Sequence, residues 1–244
     1  SRVINDKALY ESILTFIELN PEYEYKFFDN IECRNFIKYN FDDKILNYYD
    51  KLIPGAFQAD LFRYCYLYIN GGCYFDCKNI LKQPISNILK EDDTLILCQD
   101  IDEDCFYNSI IMTEPKNKIF MNAINIITNN IDNFDTLYDL FKKKVTKKKP
   151  YYGTLNITGP NLLYISAKGH IDYDRNVTLK HFIDGDYKNY KNLKIVYKNE
   201  IFALKSYYSW KESNNHYNKL WVKKEILYNQ EINYKDMKIL IYPN

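Results

Sequence analysis

Apolar positions recur at helical spacing across "NDKALYESILTFIE" (residues 5–18), and "PEYEYKFFDN" (21–30) then alternates like a strand that ends in a turn. Residues 30–52 return to the helical period, with an Asn/Asp-rich break at "YNFDD" (39–43). From Pro54 to Asn70 the helical pattern is strong, with proline near its start and Gly71-Gly72 just past its end. "CYFDC" (73–77), "DTLILCQD" (93–100) and "YNSIIMTE" (107–114) read as strands, and "PKNKIFMNAINIITNNI" (115–131) as an amphipathic helix. Strands that alternate with helices predict an α/β domain with a largely parallel sheet flanked by helices. After Pro150, "YYGTLNITGPNLLYIS", "LKIVYKN" and "IFALKSYYSW" mix short strands with turns. No repeat and no long linker interrupts the chain, so residues 1–244 are expected to form a single domain.

Chemistry concentrates in "QADLFRYCYLYINGGCYFDCKN" (58–79). Asp60 and Arg63 lie three apart and share a helix face. Their neighbours Phe57, Leu61, Phe62, Cys65, Tyr66, Leu67 and Ile69 are nearly all apolar, which predicts a buried helix. Buried charges must be paired or engaged with a ligand. On the strand that follows, alternation puts Tyr74, Asp76 and Lys78 on one face and Cys73, Phe75 and Cys77 on the other. Asp76 is thereby expected at the carboxyl end of a parallel strand, where open α/β sheets bind ligands.

Composition narrows this picture without directing it. With 33 basic and 32 acidic residues the net charge is +1, so no overall field steers the chain toward nucleic acid. The lysine run at 142–149 lacks interleaved aromatics; nucleic-acid binding is not expected there, and contact with anionic membrane lipid is the weaker alternative. No apolar run approaches the roughly 20 residues that span a bilayer. The six cysteines (33, 65, 73, 77, 98, 105) sit in apolar stretches with no C-x-x-C pair, as expected for buried thiols in a reducing, cytoplasmic compartment.

The order D-x-x-R, about ten residues, then G-G-x-Y-x-D resembles the glycosyltransferases that carry a DXD motif. These are the mannosyltransferase-like and capsular-polysaccharide-like enzymes and, more distantly, the glucosylating bacterial toxins. "NITGPNLL" (156–163) is similar to the family's T-G-P turn before a helix, and "FALKSYYSW" (202–210) to its closing A-x-H-x(4)-S-W motif. The resemblance implies a GT-A fold and transfer of a sugar, with retention, from a nucleotide-sugar donor (a UDP-sugar first) to a hydroxyl of a glycan or protein. It implies a donor site of Asp60, Arg63, Tyr74, Asp76, Lys78, Gly159, Lys205, Ser209 and Trp210. Asp76 and Lys78 would stand at the reacting diphosphate, and Asp76 would carry Mn²⁺ or Mg²⁺ if any metal is bound. Asp100, Asn108 and His216 are candidates for the acceptor or sugar side.

Three departures qualify the resemblance. The second DXD aspartate is Lys78, and the histidine of the closing motif is Lys205. A protonated lysine cannot ligate a divalent ion and repels one, but it pairs with phosphate. Reduced metal dependence is therefore expected. The family's opening strand, roughly I-P-K-I-I-H-Q-x-W, has no counterpart before "SRVINDKALYES", so it is missing or degenerate and no base-binding residue is named. The alternative left open is a catalytically silent nucleotide-sugar- or carbohydrate-binding domain, in which Lys78 merely salt-bridges Asp76. Other chemistries fare worse: "FDCKN" lacks the second aspartate and the threonine of a phosphatase, and His170, His181 and His216 have no matching Ser or Cys motif. The histidines are expected at surface or structural positions, with His216 close enough to line the site.

Overall fold

A computed structural model describes residues 7–144, 152–183, 193–205 and 216–227. The first helix, α1 (Lys7–Leu19), covers the expected span. Residues 21–29, expected as a strand, are a turn followed by an irregular segment outside the sheet. Their aromatics dock on rings instead of continuing a ladder: Tyr25 stacks on Phe16, and Phe28 meets Phe62 at a tilt and Tyr66 edge-on. The Asn/Asp-rich break separates α2 (Asn30–Asn40) from α3 (Asp43–Lys51). Asp29 and Glu32 form a reciprocal capping box at the start of α2, and Asp42 caps α3. Both helix starts are therefore written in local sequence.

α4 (Gly55–Asn70) is the buried helix that its composition required, with Leu61, Tyr64, Cys65 and Leu67 fully enclosed. It ends where the double glycine stands. Gly71 has φ +63° and Gly72 φ +95°, and a β-carbon on Gly71 would meet backbone of residues 113–115 at 2.6–2.8 Å. Only glycine satisfies both the left-handed turn and that close approach. The chain then enters β1 (Gly72–Phe75), crosses three residues to β2 (Asn79–Leu81), and continues through β3 (Leu95–Gln99) and β4 (Phe106–Thr113). α5 (Lys118–Asp132) and α6 (Phe134–Lys144) follow; three lysines of the 142–149 run close α6 and the others lie outside the described residues.

Residues 152–157 are helical (α7, Tyr152–Ile157) where short strands and turns were expected, and α8 (Pro160–Ala167) is the helix that the T-G-P resemblance implied after Gly159. Pro160 opens α8 at its first turn, where a missing N–H costs nothing. α9 (Tyr173–Asn176), β5 (Leu179–Ile183), β6 (Leu193–Tyr197), β7 (Glu200–Lys205) and α10 (Tyr217–Val222) complete the described elements.

The seven strands form one sheet in the order β1-β4-β3-β5-β6-β7-β2. The expectation of a mainly parallel sheet is overturned: β3–β5 pairs parallel, and every other neighbouring pair runs antiparallel. Connection length accounts for two of these pairs. β3 and β4 are joined by residues 100–105, and β6 and β7 by Lys198-Asn199, both at positive φ. Such short links join antiparallel neighbours, whereas β3 reaches β5 across a series of helices. Leu95, Leu97, Phe106 and Ile111 pack with α4, α5 and α8 on one face. Ile96, Cys98, Tyr107 and Met112 pack with Phe16, Leu179, Ile195 and Phe202 on the other.

One linkage deforms this sheet. β1 and β2 are its two edge strands, yet only Asp76, Cys77 and Lys78 separate them. Seven flat strands would set their edges about 29 Å apart, and four backbone steps reach at most about 14 Å. The sheet therefore curls until its edges meet at Asp76–Lys78. Asp76 donates its N–H to the Ser109 carbonyl (2.8 Å), and Asn79 clamps the Ser109 hydroxyl (2.8 Å) from the other side of the joint.

Candidate functional site

α4 brings Asp60 and Arg63 to this joint from below. The Arg63 guanidinium is almost fully buried and lies 3.2 Å from Asp60 and 3.3 Å from Asp76. It donates a 2.5 Å hydrogen bond to the Asn108 carbonyl, and its plane stacks 4.4 Å from the Tyr74 ring centroid. Burial works against its charge, but Tyr74, Asp60 and Asp76 together hold its pKa above the ordinary arginine value. Asp60 accepts from the Asn108 amide at Oδ1 (2.9 Å) and from the Thr158 hydroxyl at Oδ2 (2.8 Å). Burial nevertheless raises its carboxyl to about 6, against the pull of Arg63 and those two donors. Gly159 runs alongside, where a β-carbon would stand 3.6 Å from Oδ2 of Asp60.

Asp76 sits in a turn rather than at the end of a parallel strand, because β1 pairs antiparallel with β4. Its Oδ1 takes the Arg63 contact and a 3.0 Å hydrogen bond from the Tyr74 hydroxyl, and its Oδ2 lies 3.2 Å from the Lys78 ammonium. Burial would raise this carboxyl, but Lys78 and then Arg63 outweigh it and bring it down to about 2.

The opposite wall comes from β4, β5 and β7. Register pairs Asn79 on β2 with Lys205 on β7, so Lys78 and Lys205 border the same joint. Lys205 lies over the Tyr107 ring, 5.6 Å from its centroid. Tyr107 stacks on His181 (4.0 Å between centroids), and Nδ1 of His181 is 2.9 Å from Asp100. Burial first, and the charge of Lys78 second, lower the Lys205 ammonium to about 8, although Asp76 and Asp100 oppose them.

The structure thus groups Asp60, Arg63, Tyr74, Asp76, Lys78, Asn108 and Gly159, and places Asp100 and Lys205 on the facing wall. Asn108 spends its amide and carbonyl on Asp60 and Arg63, so it positions those groups rather than facing outward. His216 caps α10, where its Nδ1 accepts from Asn218; its described contacts are those of a helix cap and a stack on Tyr217. Ser209 and Trp210 lie outside the described residues. Sequence reasoning missed three participants. Thr158 stood inside the quoted T-G-P turn, while Tyr107 and His181 carried no local signal. Cys77, expected to be buried, is exposed; Cys65, Cys98 and Cys105 are buried.

A divalent ion does not fit this donor set. Both oxygens of Asp76 are engaged, by Arg63 and Tyr74 on one side and Lys78 on the other, and a second ammonium stands nearby. Among the described residues, no three His, Cys, Asp or Glu side chains converge as metal ligands.

Residues 6–95, which contain Asp60, Arg63 and Asp76, match the family described as glycosyltransferase sugar-binding region containing DXD motif. A relative in Acanthamoeba polyphaga mimivirus, the uncharacterized glycosyltransferase L373, is 36% identical over 73 residues. That match covers 30% of this chain, and the chain spans only 29% of the relative's length. The solved structure of PaToxG glycosyltransferase overlaps 70% of this chain and 65% of its own, at 16% identity and a TM-score of 0.48, a likeness too slight to weigh.

Proposed function

We propose that the protein is a glycosyltransferase that takes a nucleotide sugar, first a UDP-sugar, as donor and a hydroxyl of a glycan or protein as acceptor. The observation that carries this reading is the Asp60–Arg63–Asp76 cluster, which lies within the segment matched to the sugar-binding region. A buried arginine shared between two carboxylates holds them at fixed positions. Asp76, the more exposed of the two, then offers its remaining lone pairs to a neutral sugar or ribose hydroxyl, which Lys78 does not repel as it would a cation; buried Asp60 anchors the arginine, and Tyr74 offers an edge for packing.

The transfer is read as retaining. The acceptor oxygen bonds to the anomeric carbon on the face from which the diphosphate oxygen departs. The electron pair of the broken bond stays on that oxygen, which also receives the acceptor's proton. A GT-A-type frame on a mainly antiparallel sheet, folded as one domain, belongs to the same reading. Mn²⁺ or Mg²⁺ has no step here, because the donor set opposes it.

The test is hydrolysis and transfer across UDP- and GDP-hexoses by wild type and Asp60→Asn, which keeps the side chain's shape. A loss of roughly hundredfold or more in kcat/KM is expected from the variant. Unchanged turnover would sink the assignment. Binding with no hydrolysis or transfer would favour the silent binding domain instead.

A further inference from the structure

At the joint where the sheet's edges meet, three cationic groups (Arg63, Lys78 and Lys205) approach one carboxylate, Asp76. Arg63 is already consumed: Asp60, Asp76 and the Asn108 carbonyl surround it. Lys78 has Asp76 at 3.2 Å but keeps a side chain 27% exposed, so its remaining donors can face outward. Lys205 stands opposite Asn79 in register, immediately beside Lys78, on the aromatic face of Tyr107. Two ammonium groups side by side in a partly buried mouth repel each other unless an anion lies between them.

We propose that Lys78 and Lys205 together form a seat for the diphosphate of the donor that needs no divalent cation, with Lys205 held in place by the stack of Tyr107, His181 and Asp100. The inference rests on the nucleotide-sugar reading and names the charge that replaces the metal in it. The departing diphosphate gains one negative charge as its bond to the sugar breaks, and the two ammonium groups offset that charge at fixed positions. The depressed ammonium of Lys205 agrees with this geometry, since an arriving dianion would favour its charged form and raise it again. His181 enters as a positioning residue. Its ring, fixed by Asp100, stacks on Tyr107, and its Nε2 is buried with no hydrogen-bond partner among the described residues.

The experiment is calorimetric titration of the full chain with UDP, GDP and inorganic pyrophosphate, in excess EDTA and again in Mn²⁺. Binding in EDTA should fall within about threefold of binding in Mn²⁺. Lys205→Met and Lys78→Gln should each weaken it about tenfold, the loss of one charged contact. Lys78→Arg should recover most of the loss, and Lys78→Asp should abolish binding in EDTA and restore it with Mn²⁺. Circular dichroism and melting of each variant separate lost binding from lost fold; Lys78, being partly exposed, tolerates replacement. Wild-type binding that requires Mn²⁺ and ignores both lysine changes would overturn the lysine seat and leave the nucleotide-sugar reading standing. Failure of all three probes in both conditions would overturn that reading too.

Discussion

The two walls of the site use charge in opposite ways. On the α4 wall every charge is paired: Arg63 meets two carboxylates and a carbonyl, with only its buried Nε lacking a partner among the described residues, and Asp60 meets an arginine, an amide and a hydroxyl. On the β7 wall, Lys205 is crowded by Lys78 and lies on an aromatic face, with its acids at longer range. A charge-paired network holds its shape with or without a ligand. An under-satisfied one is completed by a ligand. The first wall is a scaffold for recognition, and the second holds charge in reserve.

The largest effect should come from breaking the charge-paired wall. Arg63→Ala leaves Asp60 buried with no cation and Asp76 with only Lys78, and should destabilise the fold by about 3–5 kcal/mol in urea denaturation. A change below about 1 kcal/mol would show that the two walls do not differ as described.

Asp60 gives the next effect, through pH. Its folded carboxyl lies near 6, above the ordinary 3.8, so between those values the folded state holds a proton that the unfolded chain has released. Stability from this group is full below about pH 4 and lost as pH rises through 6, by about 2–3 kcal/mol. Asp76 runs the other way and lower: its contribution is full above 3.8 and lost as pH falls toward 2. Asp60→Asn should flatten the slope between pH 4 and 6 in melts taken across that range and leave the acid slope in place. A persistent slope in the variant would assign it to another group.

Asn108→Ala removes the amide donor to Asp60 while the backbone carbonyl keeps Arg63, and should cost about 1–3 kcal/mol. The change that most sharpens the contrast is Lys205→Met. It removes an ammonium that burial and Lys78 disfavour, with no hydrogen bond to lose among the described residues, so stability at pH 7 should hold or rise. Because the ammonium of Lys205 is lowered to about 8, with Lys78, Asp76, Asp100 and His181 around it, wild-type stability should gain from this group as pH rises from 8 toward 10.5, and the variant should lack that gain. A large loss of stability at pH 7 in Lys205→Met would place this lysine in the scaffold instead.

What could be read from the sequence was what is local. Asp60 and Arg63 announce themselves by helix period inside an apolar run, Gly71-Gly72 by the conformations only glycine tolerates, and Tyr74 with Asp76 by strand alternation. The caps at Asp29 and Asp42 are likewise local. What could not be read is long-range. His181 reaches Asp100 because β5 lies parallel beside β3, a pairing that joins residues about 80 apart and leaves no mark on either segment. The antiparallel character of the sheet was written in the short links at 100–105 and 198–199, which an inventory of strands and helices passes over. Residues 152–157 misled because Thr, Ile and Tyr favour strands as isolated types, whereas here packing against α5 and α8 decides.

The joint at Asp76–Lys78 also fixes when the site can exist. Among the described residues β2 finds its one ladder partner on β7, and Asn79 waits for Lys205. On the ribosome, the chain from α1 to β4 can gather its buried apolar surface long before β7 has emerged. The lysine wall is therefore the last part to be assembled. Pulsed hydrogen exchange during refolding should find the amides of β2 among the latest protected, so that the cluster around Arg63 forms first and the capacity to hold an anion appears only once β7 has docked.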